Sequence, residues 1–369
     1  MNTPERILVH RDGAPIYDIV FSRSFAQLGP QILSLGFARE TKLMIVTDSN
    51  VDPLYLAEVK EMLCRDFSVV KSIVLPAGES EKNLDTIADV YEALIRNHYD
   101  RKDLLIALGG GVIGDMTGFA AATYLRGVDF IQVPTSLLAM VDSSVGGKTG
   151  VDFRGYKNMV GAFHMPKLVY MNICVLKTLP PREIACGMGE VIKYGISMDA
   201  DFYASLSDAQ PDVLNCRISR LEQIVHRCCE LKRDVVEEDP TEKGRRRILN
   251  YGHTIGHAIE KLMQFTLLHG ECVAIGMCAS MHISVRRGLI TQDVYERFLS
   301  LVRSYDLPVC VRNAPFRPQD VLDAMKSDKK TVGGKVRFIL VSGIGTSYVE
   351  NDLTDAMLLD AVRSVLTDA

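Results

Sequence analysis

The feature that most constrains this chain is the alternation of its first half. Strand-like apolar runs at 42–47, 69–74, 104–108 and 130–133 are separated by helical patterns near 53–65, 83–97 and 113–125. Parallel neighbours cannot be joined by a tight turn and need a crossover connection, which a helix supplies, so the cadence predicts a parallel sheet wound with helices. Two more strands, at 6–10 and 17–21, flank the turn sequence Asp12-Gly13-Ala14-Pro15. Past Pro180 the texture changes to long helical patterns, near 182–195, 212–238, 245–264, 269–288, 291–304 and 318–326. A late hairpin over 336–349 and a closing helix at 353–367 complete the reading. The expected architecture is an α/β N-terminal domain with a Rossmann-like parallel sheet, residues 1–178, and a mostly α-helical C-terminal domain, residues 179–369. A cleft between two such domains is a common place for a site.

Composition narrows the function. At 369 residues, 47% of them hydrophobic and 24% charged, the chain can bury the cores of two domains. A net charge of -4 leaves no basic excess to neutralise a phosphate backbone, which argues against a nucleic-acid partner. An anionic small molecule would therefore have to meet locally clustered cations. The nine cysteines are scattered and form no CxxC pair, which suits a reducing compartment. No signal-like apolar run follows the first residues, and no stretch approaches the roughly 20 apolar residues of a membrane span. The expected location is the cytoplasm, away from any membrane.

Three segments carry candidate chemistry. The run 104–108 leads directly into Gly109-Gly110-Gly111-Val112-Ile113-Gly114-Asp115, a GxGxxG spacing in a strand, turn, helix context. Glycines there let a backbone approach a pyrophosphate, and the helix N-terminus adds partial positive charge. The strand ending Val133-Pro134-Thr135-Ser136 lacks the acid that would bind a ribose, whereas Asp48, ending an earlier strand, can take that role from another position. A glycine-rich tight turn without a ligand accounts for the spacing about as well. Gly147-Lys148-Thr149 invites a P-loop reading, but Asp142 stands where that motif requires glycine, which excludes it.

The third segment spans 246–260. Read as a helix, its polar residues Arg246, Asn250, His253, His257 and Glu260 fall at steps of four, three, four and three, along one face. Surface faces are usually written in Lys, Glu and Asp, and this one holds two imidazoles and an amide. Two histidines four apart can ligate one metal, or divide ligation from proton handling. With His269 downstream and Glu190 upstream, a two-His, one-Glu open zinc site is plausible. Cations recur beside these segments: Arg126, Lys148, Lys157, Lys193, Lys232, Arg246 and the Lys329-Lys330 pair. As a set they suit a substrate bearing phosphate and carboxylate.

Together, the segments 109–115, 133–149, 179–183, 189–193 and 250–260 closely resemble the 3-dehydroquinate synthases, within the wider sugar-phosphate cyclases. The architecture is shared with metal-dependent alcohol and glycerol dehydrogenases, so the motifs, above all the loop 142–149 and the pairing of Asn250 with His257, carry more than the fold. The resemblance implies a divalent metal, zinc with cobalt or iron also compatible, on Glu190, His253 and His269. It implies NAD contacts from Asp48, Asn50, Glu79, Lys82, Gly110, Gly111, Val112, Asp115, Thr135, Ser136, Lys148, Lys157 and Thr178. Substrate contacts would come from Arg126, Asp142, Lys148, Asn158, Lys193, Lys232, Arg246, Asn250, His257 and Lys329.

The implied reaction converts 3-deoxy-D-arabino-heptulosonate 7-phosphate to 3-dehydroquinate and phosphate, a carbon–oxygen lyase step of the shikimate pathway to aromatic amino acids. Oxidation of a hydroxyl by NAD acidifies the neighbouring C–H, phosphate leaves, the same cofactor returns the hydride, and ring opening and an aldol closure follow. NAD is recycled within each turnover. A homodimer is the family expectation. The alternatives are another sugar-phosphate cyclase or a metal-dependent NAD polyol dehydrogenase, which would release NADH.

Overall fold

The architecture comes from a computed structural model that describes residues 5–327, 331, 332 and 335–367. By contact the chain divides into two compact units, one of residues 1–179 with 232–240, the other of residues 180–231 with 241–369. The stretch 232–240 thus counts with the first unit, an excursion that a single boundary at 178/179 does not contain.

The first unit is built on β1 (Arg6–Arg11), β2 (Ala14–Ser22), β3 (Lys42–Asp48), β4 (Val69–Leu75), β5 (Leu104–Gly109), β6 (Asp129–Pro134), the hairpin β7 (Lys148–Phe153) with β8 (Tyr156–Phe163), and β9 (Leu168–Asn172). Its helices are α1 (Leu28–Ser34), α2 (Ala57–Cys64), α3 (Leu84–Arg96) and α4 (Gly111–Thr123). Seven strands form one sheet in the order β1-β2-β9-β6-β5-β3-β4. Only β1 and β2 pair antiparallel within it; β2–β9, β9–β6, β6–β5, β5–β3 and β3–β4 are parallel. Every residue of β5 is buried, as a strand covered on both faces requires, and its sequence LLIALG is correspondingly apolar throughout. From β3 the chain moves outward to β4 and then crosses back to β5 on the other side of β3. The order reverses between β3 and β5, and a crevice opens beyond their carboxyl ends at such a switch point.

Local pattern did not reveal β9, which inserts between β2 and β6, nor the β7–β8 hairpin, which follows a π-helical turn, Ala139–Ser143.

The second unit contains α5 (Pro181–Met198), α6 (Ala200–Leu214), most of α7 (Ile218–Glu238), α8 (His253–Leu262), α9 (His269–Arg286), α10 (Gln292–Ser304), α11 (Pro318–Ser327) and α12 (Asp355–Ser364), with a hairpin of Phe338–Gly343 and Thr346–Glu350. The expected helix 212–238 is two helices, parted at Cys216, whose φ of 49° no α-helix accepts. The expected helix 245–264 is likewise broken. Arg245–Asn250 is a 3-10 turn, and α8 begins only after Gly252, whose φ of 78° reverses the chain. Arg246 and Asn250 therefore do not share one α-helical face with His253, His257 and Glu260.

Candidate functional site

In the first unit, candidate side chains gather at the carboxyl ends of β3 and β5. Asp48 ends β3, and its Oδ1 accepts from the backbone N–H groups of Asn50 (2.9 Å) and Val51 (3.0 Å), which pins the turn that follows. Gly110 caps α4, so the first turn of that helix presents its amide groups without side chains in front of them. Thr135 donates its backbone N–H to the Gly109 carbonyl (2.9 Å), and the Ser136 hydroxyl accepts from Ala139 N–H (3.3 Å), which ties the end of β6 to the same place. Val112 lies in that first turn, and Asp115 one turn on.

Lys82 is the hub beside this turn. Its ammonium donates to Asp115 Oδ2 and to Asn158 Oδ1, each 2.6 Å away, while the side chain is only 4% exposed. Burial alone would lower the Lys82 pKa, but the charges of Asp115 and Glu79 outweigh it and hold the ammonium above its ordinary value. Glu79 pairs in turn with Lys157 at 3.0 Å. Thr178 bonds elsewhere in the first unit, its hydroxyl to Tyr55 and to the Val175 carbonyl.

Asp142 lies on the π-helical turn, a distortion that recurs at functional positions. Lys232 donates to its carbonyl (2.6 Å) and to its Oδ1 (2.7 Å). Lys148 opens β7 and is exposed. Arg126 is not gathered with them. It ends a short turn after α4, roughly 20 Å along that 13-residue helix from Gly110, on the side of the sheet where β6 begins. Lys329 lies outside the described residues.

In the second unit the structure brings together Glu190, Lys193, His253, His257 and His269. Glu190 and Lys193 sit three apart on α5, both essentially inaccessible, and form an ion pair. His253 and His269 open α8 and α9 respectively. Helices α5, α8 and α9 approach so closely at glycines that a Cβ on Gly270 would lie 1.8 Å from the Cys186 carbonyl oxygen, and one on Gly276 would lie 1.8 Å from that of Gly252. Backbone contact of this kind places the three side chains within reach of one another.

The geometry of those groups is informative. The Nε2 atoms of His253 and His269 lie 3.4 Å and 3.3 Å from the same oxygen, Glu190 Oε1. His253 Nδ1 is 3.0 Å from the Tyr251 carbonyl, which can only accept, so the ring proton sits on Nδ1 and Nε2 carries a lone pair. A tetrahedral ion with bonds of about 2.0–2.1 Å holds its ligand atoms roughly 3.3–3.4 Å apart. The donor set and its spacing therefore fit a divalent metal. His257, one turn after His253, offers a third imidazole, and ring nitrogens of His253, His257 and His269 lie within 4.8 Å of one another. The three-histidine alternative lacks negative charge, whereas Glu190 brings a buried carboxylate to the point where both Nε2 atoms converge.

Two contacts escaped residue-type reasoning. The Asn250 amide donates to the Glu242 carboxylate, and Glu242 stands in a loop with no motif around it. Glu260, the last member of the polar stripe, faces His269 Nδ1 at 3.5 Å. Arg246, 1% exposed, is the largest fully buried side chain of this unit.

Comparison with known proteins adds the following. The N-terminal family of 3-dehydroquinate synthase matches residues 72–186, and the C-terminal family of the same enzyme matches residues 187–331. A 3-dehydroquinate synthase of Desulforamulus reducens is 44% identical over 319 residues, covering 86% of this chain and 89% of the relative. Among solved structures, 2-deoxy-scyllo-inosose synthase complexed with carbaglucose-6-phosphate, NAD+ and Co2+ superposes with a TM-score of 0.87 at 25% identity, covering 99% of this chain and 100% of that one. The 2-epi-5-epi-valiolone synthase of Streptomyces hygroscopicus subsp. jinggangensis, with NAD+ and Zn2+ bound, gives a TM-score of 0.87 at 27% identity, covering 98% and 99%.

Proposed function

The chain belongs to the 3-dehydroquinate synthase family, and on that premise we propose how its side chains carry the reaction from 3-deoxy-D-arabino-heptulosonate 7-phosphate to 3-dehydroquinate and phosphate. The observation that supports the assignment best is the convergence of two imidazole Nε2 atoms on one buried carboxylate oxygen, at 3.3–3.4 Å. Glu190, His253 and His269 would hold the metal in this reading. When bound, NAD supplies a reversible hydride acceptor, and a divalent metal, zinc or cobalt, orients and acidifies substrate hydroxyls.

The residues of the chain then divide the remaining work. Asp48, Gly110, Gly111, Lys82 and Lys157 would receive the dinucleotide, the first turn of α4 offering amide donors to its phosphates. Lys148, Asn158, Lys193, Lys232 and Arg246 neutralise the substrate's phosphate and carboxylate, which also favours phosphate as a leaving group. Asp142 and Asn250 orient hydroxyl groups. His257, beside the ligands without being one, handles protons on those hydroxyls. The same reading takes zinc as the resident metal, the cytoplasm as the compartment and a homodimer as the assembly. No described helix is long and apolar enough to cross a membrane.

The test is phosphate release from the heptulosonate phosphate with catalytic NAD, with and without a chelator, while NADH absorbance is followed. Stoichiometric phosphate, no accumulated NADH and loss of activity with chelator are the expected results. NADH accumulating without phosphate would instead mark a polyol dehydrogenase, and turnover of a different sugar phosphate would mark another cyclase.

A further inference from the structure

The polar stripe ends at Glu260, and the reaction just assigned leaves that residue without a role. Glu260 lies on α8 seven residues after His253, two helical turns along the same face, and it is 3% exposed. A carboxylate is not buried this deeply without a cation or donor to meet it. Its Oε2 lies 3.5 Å from His269 Nδ1, while the other nitrogen of that ring, Nε2, lies 3.3 Å from Glu190 Oε1. The imidazole of His269 is thus bracketed by two buried carboxylates, one at each nitrogen.

A neutral imidazole has one proton and one lone pair to distribute between those nitrogens. We propose that Glu260 is the positioning residue of the metal centre: it holds the His269 proton on Nδ1, turns the Nε2 lone pair toward Glu190, and strengthens that nitrogen as a ligand. The proposal rests on the reading of Glu190, His253 and His269 as the metal set. His253 supplies the internal contrast. Its Nδ1 faces the neutral carbonyl of Tyr251, at 3.0 Å. At 3.5 Å Glu260 meets Nδ1 of His269 at ion-pair distance rather than through a formed hydrogen bond; its negative charge still favours the proton on Nδ1 and makes the ring more electron-rich, so the two imidazoles are unequal donors.

The experiment measures zinc affinity of the full-length protein by competition with a chromophoric chelator, so that no readout depends on turnover. Wild type should bind one zinc per chain. Glu260→Ala should bind it roughly 10- to 100-fold more weakly, the range for loss of such an outer partner. Glu260→Gln, whose amide oxygen can face Nδ1 but carries no charge, should fall between the two. In parallel, long-range 1H–15N correlation spectra of the metal-free protein should show His269 as the Nδ1–H tautomer, and as a mixture in Glu260→Ala. A merely structural residue would not move that signal. Should Glu260→Ala fail to fold, Glu260→Gln decides alone. Wild-type affinity and an unchanged tautomer in the folded variants overturn the proposal, and complete loss of stoichiometric zinc overturns it by making Glu260 a ligand. A wild type that binds no zinc, or that keeps its affinity after His253→Ala and His269→Ala, removes the metal-site reading and this proposal with it.

Discussion

His253 donates from Nδ1 to the carbonyl of Tyr251, two residues earlier and 3.0 Å away. A bond that short in sequence needs the chain to double back, and Gly252 between them does so at φ 78°. Local backbone geometry thus selects which nitrogen of His253 faces Glu190.

The first prediction concerns that hinge. Gly252→Ala forces a side chain into the left-handed region and sets its Cβ 2.7 Å from the Val273 carbonyl and 2.7 Å from Met277 Cγ. Strain and overpacking together should cost about 3 kcal/mol. Denaturant unfolding should show the loss, and zinc affinity should fall with it.

A second prediction separates the histidines. His257→Ala should retain stoichiometric metal while turnover falls by roughly 10²–10⁴-fold, the usual contribution of a positioned acid or base. His253→Ala and His269→Ala should lose metal and activity together. Metal analysis beside a phosphate-release assay distinguishes the cases, and metal loss in His257→Ala would make it a ligand.

Lys82 gives the third. Lys82→Met leaves Asp115 and Asn158 facing an apolar group and should cost about 3 kcal/mol at neutral pH, with weakened NAD binding. Despite burial, Asp115 and Glu79 raise the Lys82 pKa above its ordinary 10.5. The stability it adds is therefore fully present below the ordinary value and lost as pH rises through the folded one. Unfolding curves of variant and wild type should converge only in strong alkali.

The fourth concerns Cys186 on α5, whose Sγ accepts from Gly270 N–H at 3.2 Å. Burial pushes this thiol up to about 12, so it is protonated at neutral pH. Native alkylation with iodoacetamide should modify the exposed Cys64 and spare Cys186, with Cys186 labelled only on unfolding. Because the folded pKa is raised, the contribution is complete below the ordinary thiol value of 9.0 and disappears as pH climbs toward about 12.

How much of this was legible in the chain follows from the range of each interaction. The parallel strands β3 to β6 announce themselves because burial on both faces demands continuous apolar runs, and a run is a local property. Strand β9 was not legible, because its place between β2 and β6 is decided by partners about 150 and 35 residues away. The stripe 246–260 was legible in residue type but not in shape, since one glycine torsion divides it. Lys82, Asp115 and Asn158 meet across separations of 33 and 76 residues. No spacing rule links them: Asp115 stood in the glycine motif, whereas Lys82 entered as a candidate through resemblance alone. Glu260 stood in the stripe, but its partner lies across the turn between α8 and α9, where periodicity is silent.

The seam between α8 and α9 has a mechanical meaning. At Gly252, Gly256 and Gly276 main chain rests on main chain, with no rotamer between that could swing to absorb a displacement. Such a joint has almost no compliance. The separation of the two histidines that open these helices is therefore set by peptide geometry, as the jaws of a forged tool are set by its pivot. In the proposed metal set, ions of different radius would be accommodated by the longer, more yielding arm of Glu190.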